Sequence, residues 1–335
     1  MKDLKPYALN ILFRAQHNAM WELAEKAGIM AELNLSVASL EYADNSKEAE
    51  AKLFGGELDF IAGNHISPYM WVARNRPIVQ IASPGNFVRD SIVSRKPIES
   101  LDEFAGKEVR IADQDFHDRY GSVQHPRGNH ILETLRAGMT LEQEHWVDCG
   151  QFDDPNLRKN IYEAVATDKA DIGFAAYADA DSLRDSGLHA LQLPTLPMIN
   201  GTTITSTYDI LGRKEMLGER LVRTMILAIH YARTQPEQAQ KLLDTKMGRP
   251  YSEHGGRVRG IARYPMKPYP TLDGIQSAYE LCCLQYEETK AIQPTALWDL
   301  HYLRELELSG FIDELIQEQP PEAQNQGPAG QGLSF

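Results

Sequence analysis

Residues 54–82, FGGELDFIAGNHISPYMWVARNRPIVQIA, decide the fold class. Gly55-Gly56 stops a helix that the spacing over Lys47–Phe54 predicts. Leu58–Ala62 (LDFIA) is a short apolar run bounded by turn residues, the pattern of a buried strand. Ser67–Arg74 has helical spacing, and Pro68 fits a first helical turn. Ile78–Ala82 is a second buried strand. A strand, a helix and a strand in succession predict an α/β fold with a mainly parallel sheet.

The alternation extends both ways. Upstream, Tyr7–Phe13 reads as a buried strand, Asn18–Ala27 as a helix stopped by Gly28, and Leu33–Leu40 as a strand. Downstream, Phe87–Ser94 is extended, Glu108–Ala112 is a strand, and a polar loop over Asp113–Pro126 leads to a helix over His130–Ala137. Asp171–Ala175 and Leu188–Leu193 are strands, and Thr202–Leu211 is extended. Helices follow over Met216–Ala232, Pro236–Leu243, Leu272–Thr289 and Leu297–Glu307. His254–Arg259 (HGGRVR) reads as a basic solvated loop. The tail 318–335 is rich in Pro, Gly and Gln, which predicts disorder.

The chain has 335 residues, more than one hydrophobic core of about 250–300 residues organises, so two lobes are expected. A net charge of −13 argues against a nucleic-acid partner but not against an anionic ligand, because a pocket field is local. The cysteines Cys149, Cys282 and Cys283 are too few for a disulfide framework, and no Cys/His spacing marks a zinc site. The start MKDLKPYALNILFRAQHNAM has no apolar signal region, and no stretch approaches the roughly 20 apolar residues of a membrane span. With Met1 as the native start, the expectation is a cytoplasmic protein.

Four phrases carry a family resemblance: Phe54–Gly63 (FGGELDFIAG), Pro97–Ile111 (PIESLDEFAGKEVRI), Ala170–Ala175 (ADIGFA) and Tyr231–Ala239 (YARTQPEQA). Together they resemble the type 2 periplasmic-binding-protein fold, in its sulfonate, nitrate and thiamine-pyrimidine branch, over about residues 7–316. The resemblance implies two lobes with a ligand cleft between them. Lobe one would be 1–88 plus 203–317, and lobe two 89–202, with crossings near Phe87–Ser94 and Gly201–Leu211. The ligand would sit at the carboxyl ends of the parallel strands.

Candidate residues follow from those strand ends. His17 and Asn18 come after the first strand, and Asn64, His65 and Ser67 after the third. His17 and His65 are the candidate catalytic pair, since an imidazole near pKa ~6.5 gives or takes a proton at neutral pH. Each would otherwise only hydrogen-bond a ligand oxygen or cap a helix. Asn18, Asn64 and Ser67 are candidate partners for ligand oxygens. Arg127, Gly128, Asn129 and His130 resemble the family's ligand-facing helix start, where free N–H groups favour an anion. Arg127 would hold a carboxylate bidentately, unless it is a surface arginine beside the cap. Tyr177 would stack on a ring. Arg89 and Asp90 are assigned to the hinge, and Trp21 and Trp71 to packing.

No cofactor is expected. The alternative is a metal held by His17, His65, His117, His125 and His130, though none of these pairs has a ligand spacing. The loop holding His117, Arg119, Tyr120 and His125 is long enough to serve as a lid.

Cytoplasmic enzymes share the fold that the resemblance implies. The desulfinase type uses a cysteine after strand one, where this chain has Gln16-His17-Asn18. The thiamine-pyrimidine synthase type carries a cysteine-rich run and a cofactor-binding lysine, neither of which is found here. A lyase similar to 4,5-dihydroxyphthalate decarboxylase, acting on a small carboxylated aromatic or heterocyclic acid, is the leading expectation. The alternatives are the binding protein of an ABC importer for a small organic anion, and a cytosolic ligand sensor.

Overall fold

The computed structural model describes residues 4–14, 19–43, 46–115, 128–151, 154–175, 183, 186–200, 202–244 and 256–319. The chain divides into two compact units, Met1–Asn86 with Ile199–Phe335, and Phe87–Met198. The sequence places the lobe boundaries at 88/89 and 202/203, with crossings near Phe87–Ser94 and Gly201–Leu211; the two units divide at 86/87 and 198/199. The strands β5 (Gly85–Val88) and β11 (Leu196–Asn200) carry the chain across and pair as a two-stranded sheet.

Among the described residues the first unit holds one five-stranded sheet. Its order is β2 (Leu35–Ala43), β1 (Tyr7–Arg14), β3 (Phe60–Ala62), β12 (Ile204–Thr207), β4 (Ile78–Ala82). β1 runs parallel to β2 and β3, and β12 runs antiparallel to β3 and β4. Leu9, Ile11, Leu12 and Phe13 are fully buried, as a continuous apolar run demands when helices cover both sheet faces. The long helix Leu217–Thr234 packs Leu221, Met225, Ile229 and Ala232 into that core.

The second unit's sheet has the order β10 (His189–Gln192), β6 (Ser91–Ser94), β9 (Ile172–Phe174), β7 (Val109–Asp115), β8 (Glu144–Gln151). β7 is parallel to β8 and β9, and β6 is antiparallel to β9 and β10. Strand alternation sorts neighbours to opposite faces. Ile92, Ile111 and Phe174 enter one core cluster, while Val93 and Ala112 enter another with Ile161 and Val165.

An aspartate registers each sheet. Asp59 stands one residue before β3; its N–H donates to the Asn10 carbonyl at 2.8 Å, and its Oδ2 accepts the Asn10 N–H at 2.8 Å. Lys214 Nζ reaches Asp59 Oδ1 at 2.5 Å. Asp171 stands one residue before β9 and does the same to Arg110, donating to its carbonyl at 2.8 Å and accepting its N–H at 2.8 Å. Arg110 Nη2 closes on Asp171 Oδ1 at 2.7 Å.

Several elements differ from the sequence expectation. Thr202–Leu211 is extended only to Thr207, whose Oγ1 accepts the Ile210 N–H at 3.2 Å and starts a helix over Tyr208–Arg213. His254–Arg259 is not a loop throughout: a helix runs over Gly256–Arg263, anchored by buried Val258 and Ile261. β8 and the helix Leu157–Ala166 were not foreseen. The proposed tail lies outside the described residues from 320 onward, and the last helix ends at Gln317.

Two substitutions test this packing. Asp59→Ala leaves the half-buried Asn10 N–H and Lys214 without their acceptor, and should cost about 2–4 kcal/mol in chemical denaturation. A Cβ on Gly173 would lie 2.6 Å from Ile161 Cγ2 and 3.1 Å from Val165 Cγ2. Gly173→Val should therefore cost about 1–3 kcal/mol by pushing that helix off the sheet, read as a lowered melting temperature.

Candidate binding site

In the first unit the carboxyl ends of β1, β2, β3 and β4 share one edge, where open α/β sheets place ligands. The chain leaves β3 through Gly63 (φ 102°) and Asn64 (φ 65°). Left-handed backbone suits glycine and is tolerated by asparagine. The turn is pinned from two neighbouring strands. Gly63 N–H donates to the Thr203 carbonyl at 2.8 Å, Thr205 Oγ1 donates to the Gly63 carbonyl at 2.9 Å, and Gln80 Nε2 donates to the Asn64 carbonyl at 2.9 Å.

Beneath the turn lies Glu50, fully buried in the helix Ser46–Phe54. Its Oε1 accepts from Asn64 Nδ2 at 2.9 Å and from Ser67 Oγ at 2.5 Å, and its Oε2 accepts from Trp71 Nε1 at 2.5 Å. A buried carboxylate needs such donors. The structure thus gives Asn64 and Ser67, expected to meet ligand oxygens, an internal partner. His65 stands at the same turn, half-buried. Trp21 packs 4.6 Å from Phe60, and its Nε1 donates to Thr202 Oγ1 at 2.9 Å, beside the start of β12. The Thr203 hydroxyl next to it is fully buried, with no hydrogen-bond partner among the described residues.

In the second unit the carboxyl ends of β7 and β9 and the amino end of β6 share an edge. The helix Gly128–Arg136 begins over it, with Gly128 buried and Asn129 half-buried. His130 lies flat on Phe174, ring centroids 3.9 Å apart and planes 8° from parallel. Its Nδ1 is 2.7 Å from Asp113 Oδ2, and its Nε2 is 3.6 Å from Asp90 Oδ2. Burial alone would depress this imidazole, but the two carboxylates outweigh it and hold the pKa well above the ordinary value. Burial likewise acts to raise Asp90, and the hydrogen bond and charge of His130 bring it below the usual range. His130 is therefore a cation clamped by two anions, with only 13% of its side chain exposed. Asp90 turns to His130, while Arg89 Nη2 donates to Thr195 Oγ1 at 3.0 Å.

One turn along the helix, Glu133 is buried and neither carboxyl oxygen has a hydrogen-bond partner among the described residues. Burial pushes its pKa up to about 8; Asp90 adds to this, while His130 and Arg136 oppose it. Glu144, also raised by burial, accepts from Thr134 Oγ1 at 2.6 Å.

His17, Asn18, Arg127, Tyr177 and the loop residues His117, Arg119, Tyr120 and His125 lie outside the described residues. Among those described, no group of three His, Cys, Asp or Glu side chains is placed to hold a metal ion. Burial pushes the Cys282 thiol up to about 12, which removes its nucleophilic form at neutral pH. Glu50, Asp113, Phe174 and Glu133 were missed as site-edge residues. The available signal was the spacing His130, Glu133, Thr134, which puts polar groups on a helix face that also carries Leu and Ile.

No protein-family model matches the chain, and no curated protein matches it significantly by sequence. Solved structures do match. A putative sulfonate ABC transporter's periplasmic sulfonate-binding protein, SsuA from Methylobacillus flagellatus KT, covers 92% of this chain and 97% of its own, at 14% identity and a TM-score of 0.62. The periplasmic nitrate-binding protein NrtA from Synechocystis PCC 6803 covers 97% and 93%, at 10% identity and a TM-score of 0.57. The periplasmic aliphatic sulphonate binding protein SsuA from Escherichia coli covers 84% and 88%, at 17% identity and a TM-score of 0.56. The fold is that of the two-lobed periplasmic binding proteins. Among the described residues no helix is long and apolar enough to cross a membrane.

The Glu133 carboxyl predicts a pH signature. It holds a proton to about pH 8 in the fold but only to ~4.3 when unfolded, so the fold loses stability as pH rises between those values. His130 acts in the same sense: its contribution is complete below ~6.5 and fades as pH rises through its raised folded value. Glu133→Gln should therefore gain stability over the parent as pH rises from about 5 to 8, by at most ~1.4 kcal/mol per unit. Melting curves of both proteins against pH check this; a gap that does not change with pH contradicts it.

Proposed function

We propose that this protein binds a small organic anion and serves as the ligand-binding component of an ABC importer. The observation that carries the reading is the match of most of the chain to solved sulfonate- and nitrate-binding proteins, with TM-scores of 0.56 to 0.62. The comparisons favour this alternative over the decarboxylase-like lyase that the sequence led us to expect. The cytoplasmic placement rested only on where the chain begins, and an importer's binding protein does not require it.

The local chemistry is consistent with recognition. At the first unit's edge the Gly63–Ser67 turn is held rigid by Glu50, Gln80 and Thr205, which lowers the ordering cost of presenting its N–H groups and His65 to a ligand. At the second unit's edge the helix start over Gly128–His130 offers first-turn N–H groups. The His130 cation is outnumbered there by Asp90 and Asp113, so anion selection would rest on directed hydrogen bonds and the helix dipole rather than on net charge. An imidazole clamped between two carboxylates gives up its proton reluctantly, which suits a fixed donor better than an acid–base catalyst.

Calorimetric titration of the full chain with ethanesulfonate, taurine, nitrate and succinate tests the reading. The expected result is one-to-one binding of at least one of them at about micromolar Kd, with the ligand recovered unchanged by NMR. Conversion of a bound acid, or no binding by any of the four at millimolar concentration, would overturn it.

A further inference from the structure

Beside the Glu50 network of the first unit, but lined by none of Asn64, His65 and Ser67, is a surface pocket of about 650 Å³, a volume ordinary for a small-molecule site. Its walls are aromatic. Phe54, at the end of the helix Ser46–Phe54, meets Trp71 edge-on, with centroids 5.2 Å apart and planes at 72°. Tyr286 completes the lining. Trp71 is not free to turn, because Glu50 Oε2 holds its Nε1 from below.

The rim is cationic. Lys47, Arg74 and Arg76 line the pocket, and none of its lining residues is acidic, in a chain whose net charge is −13. Arg74 is spent on Glu288, with Nη2 at 2.6 Å and Nε at 3.0 Å from Oε1, and its Cζ lies 5.5 Å from the Trp71 ring and 5.8 Å from Tyr286. Arg76 differs. Its Cζ sits 4.4 Å from the Phe54 ring, and its guanidinium makes no hydrogen bond or ion pair among the described residues.

We infer that this pocket is a binding site for a planar aromatic ring bearing a carboxylate or sulfonate. The ring would stack among Phe54, Trp71 and Tyr286, and the anionic group would pair with Arg76 and Lys47 at the rim. Three aromatic walls favour a flat π-system, for which ring–ring contacts add to area burial. A planar guanidinium with open donors matches the two oxygens of a carboxylate or sulfonate. An aliphatic anion would leave the aromatic walls wet, and a neutral arene would leave Arg76 unpaired. The inference concerns a different surface from the proposed importer ligand and stands without that reading.

The test uses 2-naphthalenesulfonate, followed by calorimetry and by tryptophan fluorescence of the full chain. The parent should bind it and show quenching. Arg76→Glu and Lys47→Glu, both at exposed positions, should each weaken binding about tenfold or more with an unchanged melting temperature. Arg76→Lys should keep part of the affinity, and excess ethanesulfonate should not displace the probe. Parent-like affinity in both charge-reversed variants, displacement by ethanesulfonate, or no binding at millimolar probe would overturn the inference.

Discussion

Both sheets depend on the same constraint: an aspartate one residue ahead of an inner strand that donates its N–H to one residue of the neighbouring parallel strand and accepts that residue's N–H on its carboxylate. Asp59 does this to Asn10, and Asp171 to Arg110. Parallel pairing has slanted, evenly spaced bonds and no tight hairpin to set its register. A side-chain acceptor at the strand's amino end supplies that missing reference. A cation on the second carboxylate oxygen, Lys214 or Arg110, holds each clamp in place, and the Arg110 hydrogen bond keeps Asp171 below the usual carboxylate range. A slip of one residue would turn every side chain to the other face. With register set at the amino ends, the carboxyl ends fall where they do: Ala62 feeds the Gly63–Ser67 turn, and Phe174 lies under His130.

The two edges spend polar groups in similar ways. Glu50 gathers Asn64, Ser67 and Trp71 into one buried network, and His130 is clamped by Asp90 and Asp113. In each case a buried polar side chain is satisfied by several partners, which fixes geometry at some cost in desolvation. Such rigidity suits a receptor that must present hydrogen-bond donors without reorganising. Glu50 also ties the first edge to the aromatic pocket, because its two oxygens hold the Ser67 hydroxyl and the Trp71 indole together.

Much of the fold was legible because its determinants are local. The apolar runs Tyr7–Phe13 and Ile78–Ala82 and the stop at Gly55-Gly56 announce their elements directly. β8 and the helix Leu157–Ala166 are not legible because each is half polar; pairing along β7 makes the strand persist, and packing of Ile161 and Val165 on Gly173 the helix. The helix over Tyr208–Arg213 follows a polar strand whose Thr207 turns from ladder residue to cap. The site was less legible. Asn64, Ser67 and His130 could be placed at strand and helix ends from sequence, but their partners Glu50, Asp90 and Asp113 lie on other elements, and periodicity carries no information about such pairs.

The most direct measurement is native mass spectrometry of the full chain purified from its own host, before and after prolonged incubation. A small anion retained one-to-one, released on denaturation with its mass unchanged, is the result expected of a binding protein. A retained acid that loses the mass of carbon dioxide during incubation would contradict the account and restore the lyase.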